Sequence, residues 1–178
     1  MKILVAEDEP DIAQIYDIAL TRRKHYVQIA KDGEECLKIY RKAMDATELK
    51  TGNGSPFDAV VLDYRMPKKD GLQIAKEILV MSPNQRIIFA SAYVKDTIAE
   101  SVRELKRIVE LLQKPFELSM IVDTIEDRAT YEALEKLNMK MQRMKKPYSQ
   151  KEMKELLEDL KKVQKPDIWY VIDDIIFA

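Results

Sequence analysis

The chain is predicted to fold as an α/β protein: a doubly wound, five-stranded parallel sheet with helices on both faces, followed by a helical C-terminal extension. Two observations carry the sheet. Five short apolar runs of strand length alternate with stretches whose apolar residues recur at helical spacing. Each strand-like run also stops at a polar residue or turn signal before the next helix opens. Such an alternation returns the chain to one sheet through right-handed crossovers, which places helices on both faces.

Taken in order, Lys2 to Ala6 is the first strand, and Pro10 stands in the first turn of a helix carrying Ile12, Ile15 and Ala19 on one face. Tyr26 to Ala30 is the second strand; Asp32, Gly33, Glu34 and Glu35 open a helix to about Met44. From Asp45 to Pro56 a polar stretch with Thr51, Gly52, Asn53, Gly54 and Ser55 reads as a mobile surface loop of unusual length. The third strand, Ala59 to Leu62, ends abruptly in Asp63, and Pro67 and Gly71 punctuate the turn behind it. A helix with Leu72, Ala75, Ile78 and Leu79 follows, stopped by Pro83 and Asn84. Arg86 to Ala90 is the fourth strand, closed by Ser91, and Ile98, Val102 and Leu105 mark the next helix. Ile108 to Leu112 is the fifth strand, ending at Lys114 and Pro115, with Ile121, Val122 and Ile125 on the helix after it.

The remainder departs from this alternation. Leu134, Leu137, Met141 and Met144 continue at steps of three and four, so a long helix is expected to overhang the core. Pro147 ends it, Ser149 and Glu152 form a capping box, and Met153, Leu156, Leu160 and Val163 stripe a second helix. The two read as a hairpin whose stripes pack on each other, on the sheet, or on a second copy of the chain. The closing DIWYVIDDIIFA carries too much apolar area near a terminus to stay uncovered: a strand added to an edge, a docked segment, or a partner site. The domain boundaries expected are 1–128 for the sheet unit and 129–178 for the helical hairpin and apolar end.

Composition narrows the function classes. A length of 178 residues supports one core with an appendage. Charged residues are 34% and the formal net charge is -1, so no global attraction to nucleic acid or an anionic membrane follows. The opening MKILVA is too short for a signal peptide or a membrane span, and a cytoplasmic location is the default expectation. Cys36 stands alone in a helical pattern as a small buried residue, and His25 follows a basic run at a helix end, where it is expected to face solvent. With one histidine, a zinc site or a Ser/His triad has little to build on.

Ligands bind at the carboxyl edge of an open parallel sheet, where the loops converge. Glu7, Asp8, Asp63, Ser91 and Lys114 all stand at strand ends on that edge and would share one pocket. A strand-ending Asp also serves as a plain turn cap. Three gathered carboxylates, however, repel by on the order of 4 kcal/mol per pair at about 4 Å and an effective dielectric near 20, so they should recruit a divalent cation or hold a proton. Magnesium fits best, since it favours oxygen ligands from one or two carboxylates plus waters and an incoming phosphate. Acidic EDEP in the first loop excludes a dinucleotide or P-loop site, which presents glycines and bare amides there. Lys114 supplies an opposing charge and Ser91 a hydroxyl donor.

This constellation resembles the receiver domain of two-component response regulators over roughly residues 1–128. The matching pieces are Glu7 and Asp8, the run VLDYRMPKKDG around Asp63, Ser91 with Ala92, and Lys114, Pro115 and Phe116. The resemblance implies a flavodoxin-like strand order 2-1-3-4-5. It implies that Asp63 takes a phosphoryl group from a phosphohistidine on a sensor histidine kinase. Asp8 and Asp63 would bind Mg2+ directly, Glu7 through water and Arg65 through its backbone carbonyl. Lys114 would pair with the phosphoryl group, Ser91 would move toward it, and the Lys114–Pro115 peptide would be cis. Leu111 stands where the family usually has an aromatic switch residue, so the switch is expected to be transmitted differently. Arg65 and Tyr93 are expected to gate water at the pocket mouth.

The function expected is therefore a phosphorylation-controlled switch, no enzyme beyond its own phosphorylation and dephosphorylation, that biases the face formed by helix four, strand five and helix five. Residues 119–178 hold 11 Lys plus Arg against 12 Asp plus Glu and show no recognisable helix-turn-helix, so protein partners or a homodimer through the C-terminal helices are favoured over direct DNA binding. The basic run from Lys140 to Lys154 keeps a DNA-binding alternative open. A receiver-like scaffold that is never phosphorylated is the interaction-class rival. A phosphatase using an aspartyl phosphate is the enzyme-class rival, against which Arg65 stands where a general acid belongs.

Overall fold

The computed structural model describes residues 1–46, 54–92, 99–144, 146–172 and 175–177. Five parallel strands run in the order β2-β1-β3-β4-β5: β1 Lys2–Ala6, β2 Tyr26–Ala30, β3 Ala59–Leu62, β4 Ile87–Ser91 and β5 Val109–Gln113. The middle strands are buried on both faces, which is why their sequences read as unbroken apolar runs. Alternation assigns the faces. Leu4, Val60, Phe89 and Leu111 point to the layer of α2 (Gly33–Ala46), α3 (Gly71–Met81) and α4 (Ala99–Arg103). Ile3, Val61, Ile88 and Leu112 point to α1 (Pro10–Arg22) and α5 (Leu118–Glu126) on the opposite side.

The sheet is wider than the sequence indicates. β6 (Ile168–Ile172) pairs antiparallel with β5, and β7 (Ile175–Phe177) pairs antiparallel with β6, giving seven strands among the described residues. Of the three placements open to the apolar end, the added edge strand is the one adopted. Its alternating side chains extend both faces, with Val171 and Trp169 on the α2–α3–α4 side and Ile168, Tyr170 and Ile172 on the other.

That widening decides where the extension goes. The expected long overhanging helix is two helices, α5 and then α6 (Arg128–Arg143), broken at Asp127, whose carboxylate caps α6 by accepting from the Thr130 N–H at 2.9 Å. α6 does not overhang. Leu134, Leu137 and Met141, with Leu156 and Leu160 of α7 (Gln150–Val163), are buried in one cluster with Ile88, Leu112, Ile168 and Tyr170. Each such side chain stabilises by about 1.5–3 kcal/mol, and β6 supplies the apolar surface that makes the burial available. The capping box of α7 is formed by Ser149 and Glu152. The stripes therefore pack on each other and on the sheet, which corrects any reading of them as freely projecting.

Smaller corrections follow from long-range contacts. His25 was expected in solvent, but its ring is 8% exposed and sits 3.0 Å from Glu126 of α5, which also pairs with Arg23. Those contacts, Arg23 first, hold the Glu126 carboxyl down to about 2. Arg86 is no strand residue: it leaves the start of β4 to pair with Glu110 at 2.7 and 2.9 Å, buried between sheet and helix. Its remaining N–H groups donate to the Thr124 and Ile125 carbonyls that end α5, and its guanidinium lies 4.6 Å from the Tyr131 ring of α6. Cys36 is fully buried, and burial pushes its thiol up to about 12. The central part of the expected surface loop, residues 47–53, lies outside the described residues.

Arg86 and Glu110 thus tie β4, β5, the end of α5 and the start of α6 together. Glu110→Ala should destabilise the fold by about 3–5 kcal/mol in denaturant unfolding, because it strands a buried guanidinium. A loss below about 1 kcal/mol would show that the pair is no anchor.

Candidate functional site

The carboxyl edge of the sheet collects the polar strand ends. β1 delivers Glu7 and Asp8, β3 delivers Asp63, and β5 delivers Lys114 one residue past its end. β1 and β3 are paired in register, Ala6 opposite Leu62, and the Asp63 N–H donates to the Ala6 carbonyl at 2.9 Å, so the acids following them stand side by side. One carboxylate oxygen each from Glu7, Asp8 and Asp63 lies within 4.8 Å of the others. Lys114 Nζ sits 2.7 Å from Glu7 Oε2 and 3.6 Å from Asp63 Oδ2. Three carboxylates against one ammonium leave the cluster strongly negative.

The backbone around Asp63 is shaped to present it. Gly71 N–H donates to the Tyr64 carbonyl at 2.9 Å, and a Cβ at position 71 would come within 2.4 Å of the Asp63 carbonyl oxygen, so only glycine lets the turn close. Asp70 caps α3 by accepting from the Gln73 N–H. Asp63 Oδ1 accepts the Tyr64 N–H at 2.7 Å, which fixes the carboxylate orientation and leaves Oδ2 toward Lys114. Lys68, at φ 70, reaches back to Asp32 at 2.8 Å and fastens this turn to the loop opening α2.

Electrostatics in the pocket run against full ionisation. Burial raises the Glu7 carboxyl above its ordinary value despite Lys114, and burial likewise raises Asp63, with Asp8 adding to the repulsion. Glu7 is 2% exposed, and its Oε1 has no hydrogen-bond partner among the described residues. A buried carboxylate oxygen without a partner, on a residue gathered with two further acids, fits a hard divalent cation, whose ligands are oxygens.

The other expected site residues divide. Ser91 ends β4 as a buried residue paired with Gln113, and its carbonyl accepts the Lys114 N–H at 2.9 Å, so β4 and β5 reach the pocket locked together. Arg65 is exposed in the loop after Asp63 and contributes a backbone hydrogen bond to the Asp63 carboxylate. Tyr93, expected beside it at the pocket mouth, lies outside the described residues. The Lys114–Pro115 peptide is cis. Trp169, placed by the sequence in an apolar closing segment but not near this edge, pairs with Leu111 across β5 and β6 and borders, with Asp167 and Lys114, a cleft of about 580 Å3. An apolar alternation in the closing segment is the signal that a strand was there to be placed. Beside Lys114, a second concavity is apolar, lined by Ile12, Ile15, Phe116 and Leu118.

Comparison with known proteins agrees with this arrangement. A family model described as the response regulator receiver domain matches residues 3–126. Response regulator RR06 of Streptococcus pneumoniae is 33% identical over 129 residues, covering 70% of this chain and 51% of that protein. The chain thus spans about half the length, or less, of the curated relatives it matches. Among solved structures, a receiver domain protein of Clostridium thermocellum superposes with a TM-score of 0.61 at 24% identity, covering 75% of this chain and 97% of its own. TrrA of Thermotoga maritima, solved in complex with Mg2+ and BeF, gives a TM-score of 0.54 at 27% identity over 70% of this chain and 96% of its own. No helix among the described residues is long and apolar enough to cross a membrane.

A carboxyl group whose value is raised by folding gains stability from its proton at low pH and loses that gain as pH rises through the raised value. At pH 7 the charged Asp63 therefore costs stability. Asp63→Asn should melt higher than the parent at pH 7, by roughly 2–4 °C for each kcal/mol of repulsion removed, and the difference should shrink as pH falls toward 4. Thermal unfolding across that range checks it; an Asn variant that melts no higher at pH 7 contradicts it.

Proposed function

The chain belongs to the response regulator receiver family, and from that premise we propose that it is a phosphorylation-controlled switch that takes a phosphoryl group onto Asp63. The observation that carries this reading is the gathering of Glu7, Asp8 and Asp63 within 4.8 Å against Lys114. Asp63 Oδ2, the oxygen turned toward Lys114 while Oδ1 accepts the Tyr64 N–H, is the nucleophile. It attacks phosphorus of a phosphohistidine on a sensor histidine kinase; the P–O bond forms as the P–N bond breaks, and the imidazole leaves with the electron pair. Asp8 and Asp63, with Glu7 and the Arg65 carbonyl, would hold Mg2+, which supplies positive charge to the transferring phosphoryl oxygens. Lys114 gives up part of its contact with Glu7 to pair with the phosphoryl group, and the Ser91 hydroxyl donates to it.

The apolar concavity at Ile12, Ile15, Phe116 and Leu118 borders Lys114 and suits an apolar helix face on the phosphodonor. Residues 1–128 then form the phosphoacceptor unit, and 129–178 the part that carries its state outward. Output through protein contacts is the preferred reading, because α6 and α7 spend their stripes inside the core. The protein acts in the cytoplasm as a switch whose chemistry is confined to its own phosphorylation and dephosphorylation.

Incubation with acetyl phosphate and Mg2+ should add one labile phosphoryl group by intact mass, and Asp63→Ala should add none. Lys114→Ala should slow the addition by about 100-fold or more. No adduct on the parent, or an equal adduct on the Asp63 variant, overturns the reading and favours a scaffold.

A further inference from the structure

α6 carries two stripes. Leu134, Leu137 and Met141 are buried in the cluster shared with α7 and the sheet. Tyr131, Glu135, Asn138 and Gln142 follow one another at steps of four, three and four, so they stand in file along a neighbouring face of the helix. That file forms one wall of a cavity of about 250 Å3. The other wall is the amino edge of the sheet, with Asn84 ahead of β4 and Arg107 and Ile108 ahead of β5. The cavity thus lies at the opposite end of the parallel strands from Asp63. Its α6 wall stands beyond residue 126, where the match to the receiver family ends.

Polar groups at this cavity are left unmatched where their neighbour is not. Gln85, on the sheet side, uses both ends of its buried amide: it accepts from the Tyr40 hydroxyl at 3.0 Å and donates to the Phe57 and Arg86 carbonyls at 2.9 and 3.2 Å. Asn138 is 7% exposed, yet its Oδ1, out of reach of solvent, has no hydrogen-bond partner among the described residues. A buried amide oxygen left without a donor is destabilising. Glu135 and Arg107, which line the same cavity, form no ion pair among the described residues. Burial, with Glu132 adding repulsion, raises the Glu135 carboxyl above its ordinary value, so it too gains from a donor.

These groups select a ligand by its chemistry. Glu135 and Asn138 Oδ1 call for N–H donors, and Arg107 calls for an acceptor. A cation would meet Arg107 and an anion would meet Glu135, which favours a neutral molecule. Tyr131, Ile108 and Met139 add apolar surface suited to a flat ring. The volume falls just below the roughly 300 Å3 at which pockets for drug-sized ligands begin, so it suits a single ring system. Guanine has the matching edges: N–H donors at N1 and N2, and acceptors at O6 and N7 that pair with a guanidinium. We propose that the cavity between α6 and the amino edge of the sheet binds the guanine base of a nucleoside, with Glu135 and Asn138 accepting from the N1 and N2 donors and Arg107 donating to O6 or N7. The last side-chain torsion of Asn138 is a broad one, and a turn about it brings the oxygen to the ligand. The ribose extends into an adjoining concavity of about 240 Å3, which shares Asn84, Tyr131 and Glu135 and offers the Ser55 and Asp58 oxygens to its hydroxyls.

The test titrates the full chain with guanosine by calorimetry, beside inosine and adenosine. Guanosine should bind saturably, one per chain. Inosine, which lacks the 2-amino group, should bind at least about fivefold more weakly, and adenosine, which sets an acceptor against Glu135, at least about tenfold more weakly. Glu135→Gln should weaken guanosine by at least about tenfold, the cost of losing a two-point contact to the base. Asn138→Leu should lose the rise in melting temperature that guanosine gives the parent. Glu135 is half-buried, so its variant keeps the test readable if the change at Asn138 prevents folding. No saturable binding of guanosine at millimolar concentration, equal binding of adenosine, or guanosine binding unmoved by both substitutions overturns the inference and leaves the function of the Asp63 pocket standing.

Discussion

Among the described residues, Lys114 is the positive side chain placed between Glu7 and Asp63, and the arrangement of the sheet's carboxyl edge depends on that contact. Without it, three carboxylates brought together by the parallel register of β1 and β3 would repel by several kcal/mol, more than one buried aliphatic side chain returns. With it, the cluster still carries excess negative charge, and burial raises Glu7 and Asp63 rather than lowering them. The pocket is therefore held in an unsettled electrostatic state. A divalent cation would relieve it, and a phosphoryl group on Asp63, as proposed, would redistribute it, because both would change what Lys114 is attracted to.

A second constraint comes from β5. It supplies Lys114 at one end, Glu110 for the buried pair with Arg86 in its middle, and its whole outer edge to β6. The face expected to meet partners, built from helix four, strand five and helix five, is thus partly filled by the chain's own C-terminal strands. α6 and α7 follow from the same cause: once β6 has widened the sheet, its underside needs cover, and the leucine and methionine stripes provide it. Arg86, which touches β5, the end of α5 and the Tyr131 ring of α6, fixes the corner at which the extension turns back under the sheet.

How much of this could be read beforehand depended on the distance along the chain over which each contact acts. The five parallel strands were legible because strands buried on both faces leave unbroken apolar runs, and the strand-end residues were legible because topology alone places them on one edge. The break at Asp127 was hidden, since Ile125 and Leu134 keep a helical rhythm across it; the signal was the capping aspartate with Thr130 three residues on. Glu110 inside a largely apolar strand is the sequence's clue to a buried partner. His25 and Trp169 could not be placed locally, because the groups that bury or pair them, Glu126 and Leu111, lie on remote elements.

Calorimetric titration of Mg2+ into the parent, Asp8→Ala and Asp63→Ala proteins near neutral pH tests most directly whether the crowded acids govern the rest. The expected result is one ion per parent chain, bound more weakly as the solution is acidified toward the raised carboxyl values, and no comparable binding in either variant. An affinity that is unmoved by both substitutions and by acidification would contradict the claim that the cluster around Lys114 is a cation site.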